Sequence, residues 1–396
     1  MLKSYKYRIY PNKNQEELII KHFGCCRFIY NFSLELKIKT YQKEDKSLSQ
    51  FDMNKLLPKL KKKHKWLKEV IAQSLQQEHN HLDKAFRRFF KEKKGFPKFK
   101  SKKDKKSFSI PQNVKIDFKT NRIKLPKIGS IKARLHREFV GRIKTTTVSM
   151  TPTDKYFISI CVEDGFKIPH KQKFSFNNTI GIDVGLKHFA TLSTDEKIEN
   201  PKYLKKKIER LKILQKRASK KKKGSANRRK ANKRVAIMYE KITNQRRGFL
   251  HKLTHKIVGE NQAIAIESLN IQGMIKNHHL AQSITDASWH EFFRQLGYKC
   301  NWNGKTLLEI GRFEPSSRIC SVCGTINNEL NISMRKWTCK ECNTTHDRDV
   351  NASVNIKQFA LQKQNLNHSP KELRGVPAEM SALVESKKQE AYVLKT

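Results

Sequence analysis

Acidic residues are scarce in this chain. Only 36 of its 396 residues are Asp or Glu, against 84 Lys and Arg, so the formal net charge is +48. A compact particle so charged repels itself and gains most by working against a polyanion. Nucleic acid is the expected partner, because phosphate neutralisation by Lys and Arg releases counterions. Long apolar runs are also missing: none approaches the roughly 18 residues of a membrane helix, which excludes a helical span. The opening Met1-Leu2-Lys3-Ser4-Tyr5-Lys6 leads into no hydrophobic segment, so no export signal is expected. Cysteine is sparse, and Cys25, Cys26, Cys161 and Cys300 are scattered; they read as small core residues in a reducing cytosol. Aromatics are not lacking. With 22 Phe, 10 Tyr and 4 Trp the chain carries more apolar mass than a solvated polybasic tail, which excludes wholesale disorder. The length implies two or three domains.

The expected architecture is α/β and multidomain. The first ten residues alternate, with Tyr5, Tyr7 and Ile9 on one face, as in a half-buried strand. Helical patterns follow through Leu18, Ile19, Phe23, Cys26, Ile29 and Tyr30, and again from Leu67 to Phe89. From Phe108 the period changes to two, with strands expected at 114–118, 121–125, 143–150 and 156–162. A strand, a helical insert and a small β assembly together predict a barrel-like domain interrupted by helices. Residues 165–177 are polar and Lys-rich, a linker composition. Beyond them come strands at 178–184 and 187–193, helices at 201–222 and 234–258, a strand at 263–267, a helix at 287–298, a strand at 306–310 and a helix near 350–362. Periodicity fades after Asn365, so 366–396 reads as a tail.

The sharpest local signal is Cys320-x2-Cys323-x15-Cys339-x2-Cys342. Four thiolates in two knuckles can close a tetrahedral zinc site, and a closed site with no open position is structural. Gly324 and Asn343 follow the two knuckles, where the chain must turn sharply. The second signal is spread over three segments: Ile180-Gly181-Ile182-Asp183-Val184-Gly185, with glycines that leave room for a ligand; Ala263-Ile264-Ala265-Ile266-Glu267; and His346-Asp347-Arg348-Asp349-Val350-Asn351. Each alone has an ordinary reading, since a strand-ending acid forms turns and acids at a helix start answer its dipole. Converging, they would make a hard, oxygen-rich pocket suited to Mg²⁺. Two such ions about 4 Å apart can activate water and stabilise the leaving oxygen in phosphodiester hydrolysis.

These segments resemble the RuvC-type nuclease segments of the TnpB family, the OrfB-type, transposon-encoded, RNA-guided DNA endonucleases related to type V CRISPR effectors. The order matches: first acid, second acid, ribbon, third acid. Tyr7-Arg8-Ile9-Tyr10-Pro11, Gly95-Phe96-Pro97-Lys98-Phe99-Lys100, Asp286-Ala287-Ser288-Trp289 and Pro315-Ser316-Ser317 also fit. The resemblance implies a catalytic and magnesium-binding triad of Asp183, Glu267 and Asp349. Asp349 is preferred to Asp347 because it opens the family's Asp-x-Asn motif. Ser353 and Asn343 depart from the family's usual Ala and Gly. The implied fold is an RNase H-like (RuvC) nuclease core at 178–314 and 346–365 with a zinc-ribbon insert at 315–345. An N-terminal β-barrel (wedge) domain at 1–10 and 106–165 is interrupted by a helical recognition insert at 11–105; 166–177 is the linker. The implied partners are a guide RNA from the transposon end and target DNA cut beside a short target-adjacent motif. Also implied are a monomer with its RNA and a cytoplasmic, nucleoid-associated location in a bacterium or archaeon. An RNA-guided repressor without cleavage and a transposase joining DNA ends are the alternatives.

Two basic stretches complete the reading. From Lys202 to Arg234, 17 of 33 residues are Lys or Arg and only Glu209 is acidic, a composition that favours nucleic-acid contact. Residues 91–106 carry nine Lys and two acids, with Phe96 and Phe99 placed either to stack on bases or to anchor the loop. His251 and His255 are expected on the surface rather than as ligands, and His346 is a candidate phosphate contact.

Overall fold

The computed structural model describes residues 1–312, 314–331 and 333–365; the expected tail at 366–396 lies outside the described residues. The chain forms two compact units, Met1–Lys167 and Ile168–Thr396.

The first unit runs β1 (Leu2–Tyr10), α1 (Lys13–Glu44), α2 (Gln50–Lys63), α3 (Ala72–Glu92), β2 (Lys106–Ile110), β3 (Lys115–Asp117), β4 (Arg122–Leu125), β5 (Gly129–Arg134), β6 (Arg142–Met150) and β7 (Tyr156–Glu163). Its seven strands form one antiparallel sheet ordered β2-β6-β7-β1-β5-β4-β3. The opening strand therefore sits inside the sheet, paired with β7 and β5 from far along the chain. Alternation buries Tyr7 and Ile9, which share one core with Ile158 and Ile160 of β7 and with Ile19, Phe23 and Ile29 of α1. A capping box between Asn12 and Gln15 starts α1, and another between Ser49 and Asp52 starts α2.

The basic loop after α3 is tied down rather than free. The Asn31 side chain donates to Lys100 O at 2.9 Å and accepts from Lys100 N at 2.8 Å. The Lys100 ammonium meets the buried Glu78 carboxylate at 2.7 Å and lies 3.9 Å from the centre of the Tyr30 ring. Phe96 packs edge-on against Phe86 and Phe89 and so anchors the loop, although both Phe96 and Phe99 are exposed.

The second unit runs β8 (Thr179–Val184), β9 (His188–Leu192), β10 (Lys197–Glu199), α4 (Ile208–Ser219), α5 (Ala226–Glu260), β11 (Ala263–Glu267), α6 (Ile271–Met274), α7 (His278–Ala287), α8 (Trp289–Trp302), β12 (Thr306–Ile310), β13 (Lys336–Thr338), β14 (Thr345–Asp347) and α9 (Arg348–Asn365). Five strands form a mixed sheet ordered β10-β9-β8-β11-β12, in which β8, β11 and β12 are parallel and β9 pairs antiparallel with both β8 and β10. Strand β11 is buried on both faces, as its unbroken apolar run requires. Ile264 and Ile266 face a core with Leu250 and Leu253 of α5 and Phe292 and Leu296 of α8. Ala263 and Ala265 point the other way, toward Ile356, Phe359 and Ala360 of α9. Small residues on that face let α9 lie close to the sheet.

The helix expected from 234 begins at Ala226, where Ser225 accepts from the Arg228 N–H, so the basic run at 228–234 is helical. Leu211 and Ala218 are the buried residues of α4, and His251 and His255 are exposed on α5. Among the described residues no helix is long and apolar enough to cross a membrane.

Candidate active site and thiolate cluster

The parallel register pairs Ile182 with Ile266. Asp183 and Glu267 are the next residues on each strand, so both carboxylates stand at the same end of adjacent strands. The third acid arrives on α9, and a glycine decides how near. A Cβ built on Gly181 would meet Ser353 O at 2.0 Å and Lys357 N at 2.9 Å. The room expected beside Gly181 for a ligand is thus taken by the α9 backbone, which corrects that expectation. Asp349 lies one turn before Ser353 and is carried toward the end of β8.

Asp183 feels both of the other acids. Asp183 is pushed up from 3.8 to about 8, first by burial and then by the negative charges of Asp349 and Glu267; Arg348 and the Val184 N–H work the other way. Burial also raises Glu267. Asp349 meets Arg335 Nη1 at 3.2 Å and Arg348 Nη2 at 3.3 Å. Asp347 has a different occupation. Its Oδ1 accepts from the N–H groups of Asp349 and Val350 at 3.1 and 3.2 Å, capping α9, and its Oδ2 takes Lys197 Nζ at 2.7 Å. Burial opposes ionisation of Asp347, but Lys197 and the capped N–H groups outweigh it and hold its carboxyl below the usual range. The geometry therefore separates two acids that spacing alone left competing.

The four cysteines form a tighter group. Their Sγ atoms all lie within 4.8 Å of one another, the one cluster of metal-binding proximity among the described residues; the three carboxylates are not gathered so closely. Gly324 at φ +83° and Asn343 at φ +52° make the two knuckle turns, with Gly324 N donating to Cys320 O and Asn343 N to Cys339 O. The hydroxyl and N–H of Thr344 hold the half-buried Cys342 thiol down to about 6. Buried amides bind the first knuckle to α9: Asn351 donates to Ile319 O and accepts from Ser321 N, while Asn355 donates to Ser316 O and Ile319 O at 2.7 Å each. His346 is buried here rather than presented to a phosphate. Its Nε2 lies 3.0 Å from Cys320 Sγ, and its ring packs on Trp337 with centroids 4.8 Å apart.

Asp286 acts where residue type alone gave no role. Its carboxylate accepts from the N–H groups of Leu204 and Lys205 at 2.9 and 3.2 Å and pairs with Arg246 at 2.8 Å. It thereby fixes the start of the basic α4–α5 hairpin. A lone Asp at the end of a helix pattern carries no signal for such a partner.

Residues 159–278 match the OrfB family of IS605 elements, described as a probable transposase, and residues 289–356 match the TNB domain of Cas12f1-like proteins. Residues 1–46 match a helix-turn-helix model, although here they form one strand and one long helix. A putative RNA-guided DNA endonuclease of Streptomyces pristinaespiralis is 36% identical over 364 residues, covering 91% of this chain and 89% of the relative. InsQ of Escherichia coli K12, also named a putative RNA-guided DNA endonuclease, is 32% identical over 372 residues, covering 90% and 91%. A Cas12f1–sgRNA–target DNA complex solved by cryo-EM is similar at 17% identity and a TM-score of 0.36, covering 90% of this chain and 99% of that one. A basic, mixed α/β chain with a four-cysteine cluster thus falls in the class of mobile-element proteins. Within that class it belongs to the TnpB family, the OrfB proteins of IS605-type elements.

Proposed function

We propose that the chain is an RNA-guided, magnesium-dependent endonuclease that cuts double-stranded DNA through one RuvC-type site of Asp183, Glu267 and Asp349. The observation that carries this reading is the register that sets Asp183 and Glu267 side by side at the ends of β8 and β11, with Asp183 raised to about 8 first by burial and then by the charges of Asp349 and Glu267. The donor set fits a hard divalent cation: it is all oxygen, with Arg335 and Arg348 paired to Asp349. When bound, two magnesium ions would activate water and neutralise charge on the leaving oxygen. Asp183, Glu267 and Asp349 would hold them, while Asp347 keeps α9 capped. The basic faces of α4 and α5 would hold phosphate backbone.

The mixed sheet order supports an RNase H-like core over 178–314 and 346–365, with a zinc ribbon at 315–345 held by Cys320, Cys323, Cys339 and Cys342. The pairing of β1 with β5 and β7 supports a wedge barrel from 1–10 and 106–165, split by a helical recognition insert at 11–105 and followed by a linker at 166–177. The guide RNA would come from the transposon end, and a short target-adjacent motif would mark the DNA. The names of the relatives support both partners.

The test is to purify the protein with its co-expressed transposon-end RNA and offer duplex DNA matching the guide, with Mg²⁺. Cleavage is expected from the native protein, with at least a hundredfold loss in Asp183→Ala, Glu267→Ala and Asp349→Ala and RNA binding retained. Normal cutting by all three variants overturns the site. Binding without cutting by the native protein marks a repressor, and strand joining without RNA marks a transposase.

A further inference from the structure

The cluster and the carboxylate site are joined through the buried amides of α9 and through a short strand, and one side chain on that strand touches the cluster. His346 lies on β14 and pairs with Trp337 of β13. Its Nε2 reaches Cys320 Sγ at 3.0 Å. The next residue, Asp347, caps α9 through the N–H of Asp349. Arg335, just before β13, grips the Asp349 carboxylate, and Arg348 N donates to Arg335 O at 2.8 Å. From Cys320 to Asp349 the path is therefore a side-chain hydrogen bond, one residue of strand and a helix cap.

We propose that His346 is a positioning residue that couples the thiolate cluster to the carboxylate site, donating from Nε2 to the Cys320 thiolate and so fixing the strand that sets Asp349. A neutral imidazole donor suits a metal-bound thiolate, because it relieves sulfur charge without competing for the metal. The hydrogen bond also fixes β14 along its length, which the two-stranded β13–β14 pair could not do alone. Trp337 supplies the packing and His346 the direction. The part concerning Asp349 rests on the nuclease reading; the bond to Cys320 does not.

Two variants separate the ring from the donor. His346→Phe keeps the packing on Trp337 and loses the hydrogen bond, whereas His346→Gln keeps an N–H donor and loses the ring. Each is measured as the full protein with its RNA, by zinc content, by the rate of zinc release to a chelator, and by the Mg²⁺ concentration giving half-maximal cleavage. In His346→Phe we expect zinc still bound at one per chain, release about tenfold faster, and a severalfold higher Mg²⁺ requirement. In His346→Gln both quantities should return to within about threefold of native. The proposal is overturned if His346→Phe matches the native protein in both, or if His346→Gln is as impaired as His346→Phe. Should Asp349→Ala cut normally, the assignment of Asp349 to the nuclease site fails, and zinc release alone then decides whether His346 acts on the cluster.

Discussion

The thiolate cluster and the carboxylate site are built in opposite ways. The cysteines come from two short knuckles whose turns are set locally by Gly324 and Asn343, and their sulfurs lie within 4.8 Å of one another. The acids come from β8, β11 and α9, and burial first, then the charges of Asp349 and Glu267, make Asp183 hold its proton up to about 8. A site whose ligands are neighbours in sequence assembles itself. One whose ligands are distant must be assembled by the fold, and the fold pays for it in burial and repulsion that a proton or a cation relieves.

Breaking the local site should have the largest effect on stability. Structural zinc sites of this kind contribute on the order of 10 kcal/mol to the small folds they hold. Cys320→Ser, or a strong chelator, is expected to release the metal and unfold the segment from 315 to 345, seen as rapid proteolysis there and a lower Tm. A stable, zinc-free variant with native cleavage contradicts this.

Breaking the distant site calls for a change away from the acids. Gly181→Ala places a methyl against Ser353 O, where the ideal Cβ lies at 2.0 Å, so α9 must shift. Overpacking of this sort costs about 1–3 kcal/mol. Because α9 carries Asp349, cleavage should fall far more than stability, with zinc content unchanged; a variant with native cleavage would separate Asp349 from the placement of α9.

The smallest effect sharpens the electrostatic half of the comparison. The folded protein keeps a proton on Asp183 that the unfolded chain gives up near pH 3.8. The stability this contributes is fully present below that pH and is lost as pH rises toward about 8. In metal-free protein, Tm should therefore fall more steeply between about pH 5 and pH 8 than in Asp183→Asn, and Mg²⁺ should restore it at the upper end. Equal slopes in the two proteins would show that neither burial nor the neighbouring acids raise Asp183.

Much of this was legible in the residues. The alternation of Tyr5, Tyr7 and Ile9 marked β1, the apolar run at 263–267 marked β11, and the cysteine spacing marked the cluster. Helix α2 was passed over because its lysines dilute the apolar stripe, though the Ser49–Asp52 capping box was a usable signal. The helix expected from 234 starts earlier, at Ala226, because Ser225 caps it even though Arg and Lys crowd its first turns. The role of Asp286 was invisible, since its partners Leu204, Lys205 and Arg246 precede it by a whole helical hairpin.

What the sequence settled by itself was whatever depends on near neighbours: charge, strand and helix periods, and knuckle turns. The tertiary structure decided which acid caps a helix and which faces its fellows, that α9 fills the space beside Gly181, and that His346 belongs to sulfur rather than phosphate. The reason is range. Turn geometry and periodicity act over a few residues, whereas repulsion, close packing and a hydrogen bond to a distant thiol exist only once the chain has brought remote segments together.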